Sequence, residues 1–110
     1  AHGYDHCFCI DGYTPQGEPR LAFLATGTKA ELTILLTTPG AHFYTGNWLG
    51  DINAKDGAVY GPNDGFAFEP EFYPDFIHHP AWSQSCCDAD HPYIESIVYR
   101  IRPREEPMRA

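Results

Sequence analysis

Glu69 is the first candidate for chemistry, because it ends an apolar, strand-like run and is followed at once by a proline-bounded loop. The run is Gly65-Phe66-Ala67-Phe68, and the loop is Pro70-Glu71-Phe72-Tyr73-Pro74-Asp75. A carboxylate at such a place is held by rigid backbone and can face a cavity, which suits a general base. The alternative is a solvated carboxylate at a strand end, the commoner situation for glutamate. Glu69 alone therefore leaves both interpretations open.

Three motifs occur in order along the chain. They are Gly3-Tyr4-Asp5-His6, then Pro39-Gly40-Ala41-His42-Phe43-Tyr44-Thr45-Gly46-Asn47-Trp48-Leu49, and then the Glu69 segment running on to His79-Pro80. With these motifs, residues 3–102 resemble the C-terminal part of the aldose 1-epimerase (galactose mutarotase) family. That family has a Gly-Tyr-Asp-His turn, a Tyr-Thr-Gly-Asn strand end and a Leu-Glu-Thr-Gln…Pro-Asp-Ala segment. Its members are much longer, so the resemblance implies that this chain is well under half of one.

The resemblance implies a site and a reaction. Glu69 matches the glutamate that acts as the general base in the family, Asp5 matches an aspartate that binds sugar hydroxyls, and His42 is a further sugar contact. Ring opening of a hexose needs a base at the anomeric hydroxyl and an acid at the ring oxygen, and it needs no cofactor. From its tetrapeptide alone, Asp5 is equally well explained as a turn-stabilising side chain.

Several positions depart from the family pattern. His42 stands where many relatives carry glutamine, Pro70 replaces threonine or serine, and Glu71 replaces glutamine. Glu71 would share a strand face with Glu69, two residues away. The segment Phe76-Ile77-His78 departs as well. These changes imply a divergent member with an altered pocket.

The acid of the reaction is missing from the motifs. In the family it is a histidine upstream of Gly-Tyr-Asp-His, and no histidine of this chain matches that position: His2, His6, His42, His78, His79 and His91. The resemblance therefore implies that an upstream segment, or a second polypeptide carrying the N-terminal part of the sandwich, supplies the acid. The alternative is a non-catalytic, carbohydrate-binding β-sandwich fragment.

Composition limits the partners. The 110 residues carry a formal net charge of −8, which argues against nucleic acid and fits a neutral or cationic small molecule. No apolar run approaches the ~20 residues of a membrane span, so no membrane association is predicted. The first residues lack the basic and apolar regions of a signal peptide, but the beginning of a C-terminal piece carries no information on targeting. The location stays open, with a cytoplasmic one slightly favoured over a secreted one.

The pattern along the chain predicts an all-β protein, an antiparallel β-sandwich or part of one. Ten prolines and ten glycines interrupt it too often for long helices. The resemblance sharpens this to the large galactose mutarotase-like supersandwich, with the active site in a cleft on its concave face. Residues 1–102 are predicted to form the sandwich portion, residues 50–64 a loop within it, and residues 103–110 a tail. The predicted strands are residues 20–26, 31–37, 41–48, 65–72 and 95–102.

The histidines and cysteines allow further hypotheses. His78, His79 and His91, with Asp75, Asp88 and Asp90 nearby, invite a metal site. No H-x-x-x-H or C-x-x-C spacing is present, so the sequence favours a solvated turn and no metal. Four cysteines allow three sets of disulfide pairings, but the Cys7-Phe8-Cys9-Ile10 run is typical of buried core residues, and reduced thiols are slightly favoured.

Aromatic side chains are frequent, and some of them could form a platform beneath a sugar ring. Most are expected to be core residues, because strands favour aromatics. We expect only one or two near a cleft. The candidates are Phe43, Tyr44, Trp48, Phe66, Phe68, Phe72, Tyr73 and Trp82.

Overall fold

The computed structural model describes residues 2–50 and 52–105, and these residues are almost entirely β-structure. All strand pairings are antiparallel, and two three-residue 3₁₀ turns, Lys55–Gly57 and Phe76–His78, are the helical elements of the described residues. The all-β, antiparallel prediction is therefore confirmed. Across the same residues there is no helix with the length and apolar character required to span a membrane. The strands are β1 (Asp5–Cys9), β2 (Arg20–Thr26), β3 (Ala30–Leu36), β4 (Gly40–Tyr44), β5 (Ile52–Asn53), β6 (Val59–Tyr60), β7 (Ala67–Glu71) and β8 (Ile97–Pro103).

The chain divides into two compact units. The first contains the residues up to Cys9 together with Gly40–Gln84, and the second contains Ile10–Pro39 together with the residues from Ser85 onward. The first unit holds a sheet of order β1-β4-β7 and the small β5-β6 hairpin, and the second holds a sheet of order β2-β3-β8. Each sheet thus combines strands that are distant in sequence. The prediction of one sandwich portion over residues 1–102 stays a prediction.

In the first unit, aromatic rings cover one face of the β1-β4-β7 sheet. Tyr4 stacks on Phe43 with ring centroids 5.6 Å apart, and Phe43 also contacts Phe66 and Phe68 at 6.1 and 6.4 Å. Phe43 and Phe68 are directly opposite each other in the β4-β7 register. Because successive side chains of a strand point to opposite faces, the neighbouring residues His42 and Glu69 lie on the other face.

In the second unit, the centre of the β2-β3-β8 sheet is well packed. Ile34 and Leu36 of β3 are fully buried. The Arg20 guanidinium closes one end, because its NH2 group donates to the carbonyls of Ile10 and Thr38 at 3.0 and 2.8 Å. An arginine that satisfies several backbone carbonyls fixes the chain entering and leaving the sheet.

The strand boundaries agree with the sequence in part. The prediction for residues 20–26 matches β2, and the one for residues 31–37 is one residue late relative to β3. β4 ends at Tyr44 rather than at residue 48. The reason is local: Gly46 takes a positive φ of 66°, and the Asn47 side chain donates to the Tyr4 carbonyl at 3.0 Å. Such a backbone position ends strand geometry.

Two further segments differ from expectation. The predicted loop at residues 50–64 contains the β5-β6 hairpin, closed by Ala54 N–H donating to Ala58 O at 2.8 Å. β8 continues through Pro103, and Arg104 N–H donates to Lys29 O at 2.8 Å. Residues 106–110 of the predicted tail lie outside the described residues.

Apolar side chains of β8 are exposed. The register places Ile97, Tyr99 and Ile101 on the face that carries Leu32, Ile34 and Leu36, as the alternation predicts. The β8 residues are nevertheless solvent-exposed, from 42% to 72%. On the same face Ile34 and Leu36 of β3 are fully buried, so it is the β8 part of this face that lacks a covering layer within the described residues.

Candidate active site

The candidate site lies on the polar face of the β1-β4-β7 sheet. The register sets His42 of β4 directly between Cys7 of β1 and Glu69 of β7. Side chains two residues apart on a strand share a face, so Asp5 and Glu71 lie on the same side. Antiparallel pairing thereby collects residues from both ends of the first unit's sequence onto one patch of sheet.

A cleft of about 320 Å³ opens over this patch. Its volume falls in the roughly 300–1,000 Å³ range of small-molecule sites. It contains the three residues predicted as the site, Asp5, His42 and Glu69. The described residues that line it are Asp5, His42, Tyr44, Trp48, Glu69, Glu71 and Pro74.

Asp5 and His42 form the closest polar pair in the cleft. His42 Nε2 donates to Asp5 Oδ1 at 2.7 Å. This hydrogen bond, and then the negative charges of Asp5, Glu71 and Glu69, raise the pKa of His42, while partial burial opposes the shift. The side chains of His42 and Asp5 are 27% and 57% exposed, so both remain accessible to a ligand.

Glu69 is exposed at the strand position directly opposite His42. Directly opposite residues on one face have Cβ atoms roughly 4.5–5.5 Å apart, close enough for both side chains to reach one bound molecule. The cleft therefore presents a hydrogen-bond acceptor and a proton-bearing imidazole side by side. That pairing is suited to moving protons on a hydroxylated ligand.

Glu71 approaches His42 from the other ring nitrogen. Glu71 Oε1 lies 3.9 Å from His42 Nδ1, and the Glu71 side chain is 30% exposed. Cys7 is also next to this carboxylate. Burial, and then a hydrogen bond to Glu71, raise the pKa of the Cys7 thiol to about 11, so the thiol stays neutral.

The sequence missed Cys7 as a member of this site. It treated the Cys7–Cys9 run as buried core, whereas Cys7 is half-buried in the site and Cys9 is exposed. The core interpretation of Cys9 is wrong, because Cys9 occupies the solvent-accessible end of β1 at the sheet's edge. The spacing held a usable signal, since Cys7 is two residues from Asp5 and so shares its face. All four cysteines are free thiols.

Two aromatic residues line the cleft, Tyr44 and Trp48, as the expectation of one or two predicted. The Tyr44 hydroxyl accepts a hydrogen bond from the Trp48 backbone N–H at 3.0 Å, which fixes the turn after β4. The Trp48 side chain is 79% exposed. An exposed indole beside a polar cleft offers a flat apolar surface to a ligand.

The Thr-Gly-Asn segment after Tyr44 holds the edge of the site together. Tyr4 N–H donates to Thr45 Oγ1 at 2.8 Å, and Thr45 donates to Asn47 Oδ1 at 2.6 Å. Asn63 Nδ2 donates to the Thr45 carbonyl at 2.9 Å. These contacts anchor the segment before Asp5 to the end of β4 and so position the Asp5 and His42 side chains relative to each other.

Three histidines outside the cleft, His78, His79 and His91, pair with carboxylates. Asp75 accepts hydrogen bonds from His78 at 2.5 Å and from His79 at 3.2 Å; these bonds, that from His78 first, lower the pKa of Asp75. In the second unit, Asp88 pairs with His91 at 2.9 Å. Over residues 2–50 and 52–105, no group of three histidine, cysteine or carboxylate side chains is arranged to hold a metal ion.

Comparison with known proteins decides the family. A sequence model of the family described as aldose 1-epimerase matches residues 1–100. The chain belongs to the aldose 1-epimerase family. The resemblance carried by the Gly-Tyr-Asp-His, Tyr-Thr-Gly-Asn and Glu69 motifs is thereby confirmed.

Individual members of the aldose 1-epimerase family are clearly similar to the chain. It is 33% identical over 85 residues to the aldose 1-epimerase of Escherichia coli (strain K12), covering 77% of this chain and 25% of that protein. It is 38% identical over 81 residues to the galactose mutarotase of Homo sapiens, covering 72% of this chain and 23% of that protein. The Bos taurus galactose mutarotase is 37% identical over 83 residues, 73% of this chain and 23% of that protein. The chain thus spans about a quarter of the length of the curated relatives it matches.

Proposed function

We propose that this chain contributes the base and the sugar-binding side of a site that interconverts the α and β anomers of an aldose, a hexose in the first instance. The main support for this proposal is that Asp5, His42 and Glu69 line one cleft of a chain that belongs to the aldose 1-epimerase family. In this proposal Glu69 is the general base. Asp5 and His42 hold sugar hydroxyls.

The reaction begins when Glu69 takes the proton of the anomeric hydroxyl while an acid protonates the ring oxygen. The bond between the anomeric carbon and the ring oxygen breaks, and an open-chain aldehyde forms. Rotation about the adjacent carbon–carbon bond presents the other face of the aldehyde, and the reverse proton transfers close the ring as the other anomer. No oxidation or reduction takes place. The base and the acid each return to their starting protonation state when the ring closes.

The acid in this proposal is a histidine that lies outside this chain's own motifs, in an upstream segment or a second polypeptide. Two observations support a further polypeptide portion that packs onto these sheets. The chain spans about a quarter of its curated relatives' length, and the second unit exposes large apolar side chains such as Leu21, Leu24 and Ile101. Exposed apolar patches of this kind mark surfaces that another element covers.

Native and denatured masses of the purified protein test this arrangement. The proposal expects a particle that includes sequence beyond these 110 residues, on the same or a second polypeptide, with the acid histidine located there. A 12.4 kDa particle that is fully active would contradict the need for an external acid.

Glu69→Gln tests the base. The amide keeps the shape of the side chain and cannot accept the proton, so kcat should fall by about 10²–10⁴-fold, the usual contribution of a general base. Sugar binding, measured by calorimetry, should persist. Glu18→Gln is the matched control, because Glu18 is an exposed carboxylate outside the cleft, and it should leave kcat unchanged. Polarimetry of α-galactose and α-glucose gives the rate directly, and activity of Glu69→Gln within a few-fold of wild type would contradict the assignment.

A non-catalytic sugar-binding protein is the second candidate. The proline and the additional carboxylate directly after Glu69, Pro70 and Glu71, favour it, since both change the segment that carries the base. It predicts binding of a hexose with no acceleration of mutarotation by the wild-type protein. The same polarimetry and calorimetry therefore separate the two functions.

A further inference from the structure

Glu71 lines the cleft, yet the proposed reaction gives it no task. Its Oε1 atom is buried and has no hydrogen-bond partner within the described residues. The His42 ring, which is positively charged when protonated, lies beside it, with Nδ1 3.9 Å from that oxygen. Burying a carboxylate oxygen without a compensating charge is unfavourable, so the position of the Glu71 side chain calls for a cation beside it.

The surroundings of His42 supply negative charge from both neighbouring strands. Asp5 and Cys7 face it from β1, and Glu69 and Glu71 face it from β7. Cys7 is a neutral thiol at ordinary pH, since its pKa is raised to about 11. No lysine or arginine lines the cleft among the described residues. Among the described residues that line the cleft, the imidazole is therefore the group that can place a positive charge beside these carboxylates.

We propose that Glu71 is a positioning residue that acts through His42. Its carboxylate holds the ring protonated at Nδ1 and fixed in one orientation, so that Nε2–H donates to Asp5 Oδ1 and leaves the second Asp5 oxygen free for sugar hydroxyls. The arrangement is a line of three side chains, Glu71, His42 and Asp5, which crosses all three strands of the sheet.

The geometry explains why the effect must pass through His42. Glu71 and Asp5 stand on the outer strands, with β4 between them, and His42 contacts one with each ring nitrogen, at 3.9 Å and 2.7 Å. A ring hydrogen-bonded at Nε2 and attracted at Nδ1 by a nearby carboxylate favours one orientation and the protonated form, which pre-organises the group that it supports. The free Asp5 oxygen then accepts hydrogen bonds without first having to reorient.

The primary experiment measures the protonation of His42 by ¹H–¹⁵N NMR of the imidazole nitrogens, in protein expressed from its complete gene. Resonances are assigned by their loss in His42→Gln. In Glu71→Gln the His42 titration should shift to lower pH than in wild type, because the amide removes the charge and keeps the shape. Glu18→Gln should leave it unchanged. An unshifted His42 titration in Glu71→Gln overturns the proposal.

A second variant keeps the test decisive if Glu71→Gln does not fold. Glu71→Asp retains the charge and withdraws it by one methylene group, so the His42 titration should move in the same direction by a smaller amount. A titration that coincides with wild type, in a folded Glu71→Asp protein, equally overturns the proposal.

The part of the proposal that concerns sugar binding, the free Asp5 oxygen, rests on the proposed function. Glu71→Gln should raise KM for the hexose about tenfold while kcat changes less than twofold, as expected for the loss of a pre-organised hydrogen-bond acceptor. A fall in kcat with unchanged KM contradicts a positioning role. If the NMR shift is found but wild-type protein neither binds nor converts hexoses, the proposed function fails and the link between Glu71 and His42 stands.

Discussion

Gly46 offers the sharpest stability test of the architecture around the cleft. It follows β4 with a φ of 66°, and its carbonyl accepts hydrogen bonds from the N–H groups of Leu49 and Asn63 at 3.1 and 2.8 Å. A Cβ added at Gly46 would overlap the carbonyl oxygen of Gly65 and would lie 2.8 Å from Leu49 Cδ1. The oxygen belongs to backbone, so it cannot move aside without displacing the chain that leads into β7.

The magnitude of Gly46→Ala has two parts. A non-glycine residue in the left-handed region costs about 1–2 kcal/mol. Overpacking of a well-packed site adds about 1–3 kcal/mol. The free energy of unfolding should therefore fall by about 2–5 kcal/mol, a large fraction of the ~5–15 kcal/mol that stabilises a typical domain.

Gly57 separates these two parts. Its φ is 73°, also in the left-handed region, but a Cβ there meets nothing within 4 Å. Gly57→Ala should therefore lose only the backbone part, about 1–2 kcal/mol. Urea denaturation followed by circular dichroism measures both variants against wild type. If Gly46→Ala is no less stable than Gly57→Ala, the close approach of Gly46 to Gly65 is not what requires glycine, and the reasoning is refuted.

Two further predictions concern ionisation. The raised pKa of His42 means that its pairing with Asp5 stabilises the fold below the pKa of about 6.5 of an unfolded histidine, and that this contribution is lost as the pH rises through the raised value. Because both side chains are partly exposed, Asp5→Asn should cost about 1 kcal/mol at pH 6 and little at pH 9 in urea denaturation; an equal loss at both pH values would contradict a charged pair. Cys7, with a pKa of about 11, should react with iodoacetamide at pH 8 more slowly than Cys9, as followed by peptide mass mapping, since the thiolate is the reactive form. Equal alkylation rates would show that Glu71 and burial do not suppress the Cys7 thiolate.

Strands whose limits are marked by neighbouring residues could be predicted from the local sequence. β2 is a short apolar run that follows Pro19 and ends before the turn at Gly27, so its limits were predictable from the local sequence. β4 was predicted four residues too long, because its end is set by contacts with Tyr4, which is 40 residues away from Tyr44 in sequence. A strand end fixed by a distant partner leaves no local signature.

The β5-β6 hairpin illustrates a different failure. Its segment is rich in glycine and short of large apolar residues, so the composition predicted a loop. Strands of two residues depend on the turn between them, here the Lys55–Gly57 turn, more than on any period-two pattern. A strand of two residues is too short to show an alternating pattern of apolar and polar side chains.

The sequence by itself determined the family and the all-β character and predicted Asp5, His42 and Glu69 as the candidate site, because motifs and alternation are properties of neighbouring residues. Only the tertiary structure decided that Glu71 faces His42, that Cys7 joins the site, and that Tyr44 and Trp48 are the aromatics at the cleft. Those facts depend on the β1-β4-β7 register, which sets Cys7, His42 and Glu69 side by side from three distant segments. Register comes from the pairing of whole strands, so no single segment encodes it.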